Sequence, residues 1–126
     1  MKNLDKFFGT ILGLITYLVG GFDNLLITLL IFMFLDYVTG VIKGIVKKEL
    51  SSQKSMIGIL KKIGYIFIII LSTFFDKITT DGENAIRTLT LYFFIANEAI
   101  SILENWALIG LPLPKKLLEV FKEFMN

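Results

Sequence analysis

The sequence predicts an all-α integral membrane protein with three long transmembrane helices, a short N-terminal hydrophobic helix and a C-terminal amphipathic helix. Three observations carry this expectation. Hydrophobic residues make up 55% of the 126 residues and the mean hydropathy is +0.74, more apolar surface than the core of one small domain can hide. Three apolar stretches approach the roughly 20 residues that a helix needs to cross the hydrocarbon core. None of them alternates polar and apolar residues in the manner of a barrel strand.

The expected elements belong to one membrane domain over 1–126. The first long helix, 25–46, is interrupted by Asp36. The second, 56–75, is densest from Ile63 to Phe75 and reaches spanning length only by starting near Ser55. Lys61 and Lys62 must then extend their ammonium groups to the interface. The third, 85–105, contains Arg87, Asn97 and Glu98.

The ends are less regular. Residues 7–22 are apolar but short, and include Gly9, Gly13, Gly20 and Gly21. They read as a thin spanning helix, as a helix in the interface, or, because Lys2 and Lys6 precede them, as a secretory signal. No small-x-small cleavage site follows, and the spanning reading is preferred. Gly20 to Asn24 then forms a turn, with Asp23 or Asn24 capping the next helix. The run Gly110-Leu111-Pro112-Leu113-Pro114 breaks any helix, because proline lacks an amide proton and restricts the residue before it. Over 114–125, Leu117, Leu118, Phe121, Phe124 and Met125 share one helical face, with Lys115, Lys116, Glu119, Lys122 and Glu123 elsewhere. Such a helix lies on the inner leaflet or the bundle; a regulatory or assembly element is the alternative. Trp106 suits an interfacial anchor.

Loop charge sets orientation. The link between the first and second long helices carries Lys43, Lys47, Lys48, Lys54, Lys61 and Lys62 against Glu49. The link between the second and third carries Lys77 and Arg87 against Asp76, Asp81 and Glu83. Lysine and arginine concentrate on the cytoplasmic side, so the basic link is expected inside, the Asp81-Gly82-Glu83 turn outside and the C-terminus cytoplasmic.

A charge at mid-bilayer costs at least about 2.5 kcal/mol, so acids inside a span must face protein or water. Asp36 precedes Lys43 by seven residues and Glu98 precedes Glu104 by six. At 1.5 Å per residue, both lie about 10 Å from the cytoplasmic end of their helices. A single polar layer is expected there, containing Asp36, Asn97 and Glu98 with Lys61 or Lys62 as counter-ion. It serves either to join helices or to line an aqueous path. Gly9 and Gly13, and likewise Gly40 and Gly44, are four apart, a spacing that lets helices approach closely in a membrane. Homo-oligomers are therefore expected, since so small a chain encloses no wide pore alone.

Several functions are excluded on chemistry. With no histidine and no cysteine, most transition-metal sites, thiol chemistry and imidazole catalysis are absent. No phosphate-binding glycine loop and no nucleophile beside a base is present. No enzyme activity, cofactor or metal is expected, and a net charge of only +2 argues against nucleic acid.

A more specific resemblance rests on Asn97-Glu98-Ala99-Ile100-Ser101-Ile102-Leu103-Glu104-Asn105, followed by Leu108-Ile109-Gly110-Leu111-Pro112-Leu113-Pro114-Lys115-Lys116-Leu117. This run resembles the C-terminal signature of the phage-lysis and toxin-secretion holins, clostridial ones in particular. Asp36-Tyr37-Val38-Thr39-Gly40 is similar to an early element of that family, and the basic link with Ser51, Ser52, Lys61 and Lys62 matches its layout. The resemblance covers about 25–120. It implies a homo-oligomer in the bacterial cytoplasmic membrane that opens a pore or lesion and releases an endolysin or a large toxin. The alternatives are an antiholin of the same fold, a small ion-channel or transporter subunit, and a membrane scaffold.

Overall fold

The computed structural model describes residues 1–79 and 83–125, without the side chains of Phe121, Phe124 and Met125. The expected Asp81-Gly82-Glu83 turn and part of the apolar face of the last helix therefore lie outside the described residues. Five helices follow in order: α1 Lys2–Val19, α2 Asn24–Val46, α3 Ser52–Thr79, α4 Ala85–Ile109 and α5 Lys115–Met125. Three of them, α2, α3 and α4, are long and apolar enough to cross a membrane. The 23 residues of α2 span about 34 Å, which covers a hydrocarbon core of about 30 Å.

Two helices outrun their expected limits. α3 has 28 residues because four residues, Ser52 to Ser55, extend it before the expected span and four, Asp76 to Thr79, extend it after. α4 continues to Ile109, where Gly110 stops it in the left-handed conformation (φ 92°). α1 starts at Lys2 rather than Phe7 and ends at Val19, so that Gly20, Gly21 and Phe22 lie outside it. Its 18 residues include Lys2, Asp5 and Lys6, and this charge keeps it from matching the three long helices.

The bundle is built from α2, α3 and α4. α2 and α4 make the most extensive contact and run parallel. Their hydrogen-bonded partners keep a nearly constant separation along the chain, from 64 residues at Asp23–Arg87 to 65 at Asp36–Ser101 and 66 at Thr39–Asn105. α3 is antiparallel to α4, and its paired separations shrink from 36 at Lys62–Glu98 to 18 at Ser72–Thr90 and 11 at Asp76–Arg87. α2 and α3 touch little.

Packing follows a heptad-like stripe on each helix. On α4 the inward residues are Arg87, Leu91, Phe94, Glu98, Ser101 and Asn105, in alternating steps of four and three. Leu26, Leu29, Asp36 and Gly40 of α2 and Lys62, Tyr65, Ile69, Ser72 and Asp76 of α3 do the same. Such spacing keeps one seam facing its neighbour along the helix. The apolar centre of the seam is Leu26, Leu29, Ile69, Leu91 and Phe94, with the rings of Tyr65 and Phe94 stacked 4.0 Å apart. Outward positions carry Phe34, Phe67, Leu71, Leu89 and Phe93, all exposed. The molecule is apolar outside and partly polar within, as a helix bundle in lipid must be.

A second cluster staples one end of the bundle. Arg87, 1% exposed, enters the α1–α2 turn. Its Nε donates to the carbonyl of Val19 at 2.7 Å and its Nη2 to that of Gly21 at 2.9 Å. Its Nη1 and Nη2 hold the Asp23 carboxylate at 2.7 and 3.2 Å. Asp23, not Asn24, is the N-cap of α2, accepting from the amide of Leu26 at 3.0 Å. Across the bundle, the Asp76 carboxylate accepts from the amides of Ile86 and Arg87 at 2.9 and 2.8 Å, and so caps α4 from α3. The turn needs Gly20, which has φ +83° and lies so close to Arg87 that a Cβ would sit 2.5 Å from Nε. Beyond this turn α1 leaves the bundle. Residues 2–15 are exposed, and its last turn docks through Val19 and through Tyr17, whose ring lies against Phe74 and under Lys77 Nζ.

Two outcomes test the staple. Gly20→Ala should lower stability in detergent micelles by at least about 1–2 kcal/mol, the cost of a left-handed non-glycine residue, before any cost of displacing Arg87; chemical unfolding measures it. Arg87 holds the Asp23 carboxyl below its ordinary value of 3.8. A carboxyl lowered by folding contributes stability that is complete above its ordinary value and is lost as pH falls through the lowered one. Hydrogen exchange of residues 19–23, corrected for intrinsic rate, should therefore rise only below about pH 4. In Asp23→Asn the acid-dependent part should vanish.

Candidate functional site

The site lies at the other end of the three-helix seam. Lys62 sits on α3 ten residues from its start, Asp36 on α2 ten residues from its end, and Glu98 on α4 eleven residues from its end. The antiparallel arrangement brings these three positions to one depth. Lys62 Nζ donates to Asp36 Oδ2 at 2.8 Å, to Glu98 Oε1 at 3.0 Å and to Glu98 Oε2 at 3.1 Å. The remaining lone pairs of Asp36 are also used. Ser101 Oγ donates to Oδ1 at 2.6 Å and Asn105 Nδ2 to the same oxygen at 3.0 Å. Asn105 also reaches Thr39 Oγ1 at 3.0 Å. Among the described residues, no buried side-chain nitrogen or oxygen lacks a partner.

One ammonium thus serves two carboxylates, with Glu98 only 3% exposed and Lys62 and Asp36 16% and 15%. A buried ion group of this kind adds little net stability, but losing one member strands the others. Its geometry specifies which helix faces which. The cluster forms the floor of a cleft of about 500 Å³ between α2, α3 and α4, whose mouth is lined by Lys43, Glu49, Lys54 and Lys61 from the basic end. Among the described residues, no group of acidic side chains is arranged to hold a metal ion.

The five residues expected in one polar layer, Asp36, Asn97, Glu98, Lys61 and Lys62, all line this cleft, but they do not all bond to one another. Asp36, Glu98 and Lys62 meet. Lys61, one residue on, is exposed at the cleft mouth and has no ion pair among the described residues, and Asn97 is exposed on α4 and lines the same cleft without bonding to the ion cluster. Ser101 and Asn105 join the cluster through Asp36; their signal was a spacing of three and seven residues from Glu98, which places them on its face. Arg87 was read as a residue of the third helix and counted with the loop charges but given no partner, although it opens the same stripe four residues before Leu91. The glycine pairs also divide. Gly44 packs on Leu50 of the α2–α3 link, where a Cβ would meet Leu50 Cδ1 at 3.2 Å, so its space is taken within the chain. Gly40 faces Asn105, whereas Gly9 and Gly13 touch nothing. Trp106 turns back to the tail and donates to the carbonyl of Pro112 at 3.2 Å.

A charged seam between lipid-facing helices suits many small membrane proteins, and sequence relatives decide among them. The profile of the bacteriophage holin family matches residues 13–126, which includes every residue of the ion cluster and the staple. The chain belongs to the bacteriophage holin family. It is 36% identical to a "probable holin" of Bacillus phage phi105 over 86 residues, covering 68% of this chain and 63% of that one. It is 46% identical over 113 residues to an uncharacterised 14.9 kDa protein encoded in the nagH 3′ region of Clostridium perfringens, covering 90% and 86%. With the protein YqxH of Bacillus subtilis it shares 35% over 111 residues, covering 87% and 77%. No solved structure matches. The family and the three long apolar helices make this holin-family chain a bacterial membrane protein.

The two lysines separate cleanly in a test. Lys62→Met should destabilise the protein in micelles by about 3–5 kcal/mol, because two carboxylates lose their counter-ion. Adding Asp36→Asn and Glu98→Gln to that variant should restore most of the loss. Lys61→Met should change unfolding by less than about 0.5 kcal/mol.

Proposed function

We propose that this chain is a holin that assembles in the bacterial cytoplasmic membrane and opens a lesion through which a cell-wall hydrolase reaches its substrate. The observation that carries the reading is the inward seam: ionic and polar groups run along all three spanning helices, shielded within one chain. A three-helix bundle encloses no channel wide enough for a protein, so a lesion requires several copies. The same seam, turned towards water between subunits, would supply a hydrated wall at low cost, because its groups regain solvation as they leave one another. A large toxin would pass by the same route as an endolysin.

The orientation follows from charge. The basic α2–α3 link belongs inside, which also leaves the C-terminus in the cytoplasm. α1 spans or lies in the outer interface, tethered by its last turn, and α5 lies along the inner leaflet with Lys115, Lys116 and Lys122 near the headgroups. Gly9 and Gly13, unoccupied within the chain, offer a close-packing face to a second copy.

Inducible expression in a bacterium that also makes a cytoplasmic hydrolase without an export signal tests the reading. Abrupt lysis should require both proteins. Growth that continues with the protein present in the membrane would reject an active holin and favour an antiholin. Glu98→Gln and Asp36→Asn should insert normally but shift the time of lysis. Wild-type timing in both would assign the acids to helix packing alone.

A further inference from the structure

The cleft above the ion cluster has a feature that pore formation does not use. A second cavity of about 370 Å³ adjoins it along the weakly joined edge of α2 and α3. The two share Tyr37, Val41, Leu50, Ser51 and Ser55 as a common wall. Their chemistry differs. The first is lined at its mouth by Lys43, Lys54 and Lys61 against Glu49, with the hydroxyls of Ser51 and Ser55. The second adds Ser52, Met56 and Ile59, and its wall residues Tyr37, Met56 and Ile59 are exposed on the outer surface.

We propose that the paired cavities bind one anionic phospholipid from the leaflet that the basic link faces. Its phosphate sits among Lys43, Lys54 and Lys61, and an acyl chain lies along Tyr37, Val41, Met56 and Ile59. Basic pockets between spanning helices at the cytoplasmic face recognise acidic headgroups in this way. Charge fixes the depth. Lys62 is committed to Asp36 and Glu98, so the floor carries two carboxylates for one ammonium and repels a phosphate that goes deeper. The mouth keeps three lysines against one glutamate and attracts it. A zwitterionic headgroup brings its own cation to those lysines and gains less. A soluble anion would find the same lysines but leave the apolar groove empty. An occupant there would bridge α2 and α3, whose contact is otherwise slight, and so favour the closed single-chain bundle.

Native mass spectrometry of the purified full chain in detergent, titrated with phosphatidylglycerol, with phosphatidylcholine of the same acyl chains and with inorganic phosphate, tests this. Phosphatidylglycerol should bind roughly tenfold more tightly than phosphatidylcholine. Lys54→Gln and Lys61→Gln, both at exposed side chains, should each weaken it roughly fivefold without changing phosphatidylcholine. Val41→Trp, which fills the groove, should weaken both lipids, and Lys115→Gln should change neither. Equal binding of the two lipids, or lysine variants that bind as wild type, would overturn the proposal. Displacement of phosphatidylglycerol by inorganic phosphate would overturn it in favour of a soluble-anion site. Binding is read on purified protein, so the result stands apart from any outcome in the lysis experiment.

Discussion

Lys62 donates to Asp36 at 2.8 Å and to Glu98 at 3.0 Å, and each of the three belongs to a different spanning helix. Most of the architecture answers to that contact. In hydrocarbon a charged side chain has no water to turn to, so each must find a partner inside the protein. Joining one ammonium to two carboxylates holds α3 against α2 and α4 at one level. It also sets the register in which Ser101 and Asn105 reach Asp36. Arg87 applies the same rule at the opposite end, where it binds the α1–α2 turn and the cap of α2.

The interior that results is unlike that of a soluble bundle. Its most deeply buried side chains include Arg87 and Asp76 beside Leu26, Leu29, Ile69 and Leu91. Between lipid and protein the hydrophobic effect distinguishes little, so specificity falls to hydrogen bonds, ion pairs and close packing. α2 and α4 have polar and packing contacts along their length. α2 and α3 have mainly the Lys62–Asp36 bond, and there the cleft opens.

The proposed lesion-forming role draws on this uneven bonding. A seam of satisfied polar groups is stable while shielded, and equally compatible with water if helices separate. The weak α2–α3 edge, occupied by a lipid or not, is the place where separation costs least. α1 is held by its last turn and is otherwise exposed.

What the sequence determined by itself concerns composition and depth. The three spans, the asymmetry of basic charge and the shared level of Asp36 and Glu98 all follow from residue type and from a rise of 1.5 Å per residue. A single chain suffices to read them, because the cost of a charge in lipid is a property of that residue and its position along the helix. Direction around the helix was left to the tertiary structure. Neighbouring residues point about 100° apart, so Lys61 and Lys62, or Asn97 and Glu98, are equivalent in depth and opposed in consequence. Only the packing of three helices chose Lys62 and Glu98 for the ion cluster, brought Ser101 and Asn105 to Asp36, and made Arg87 the staple that holds the α1–α2 turn.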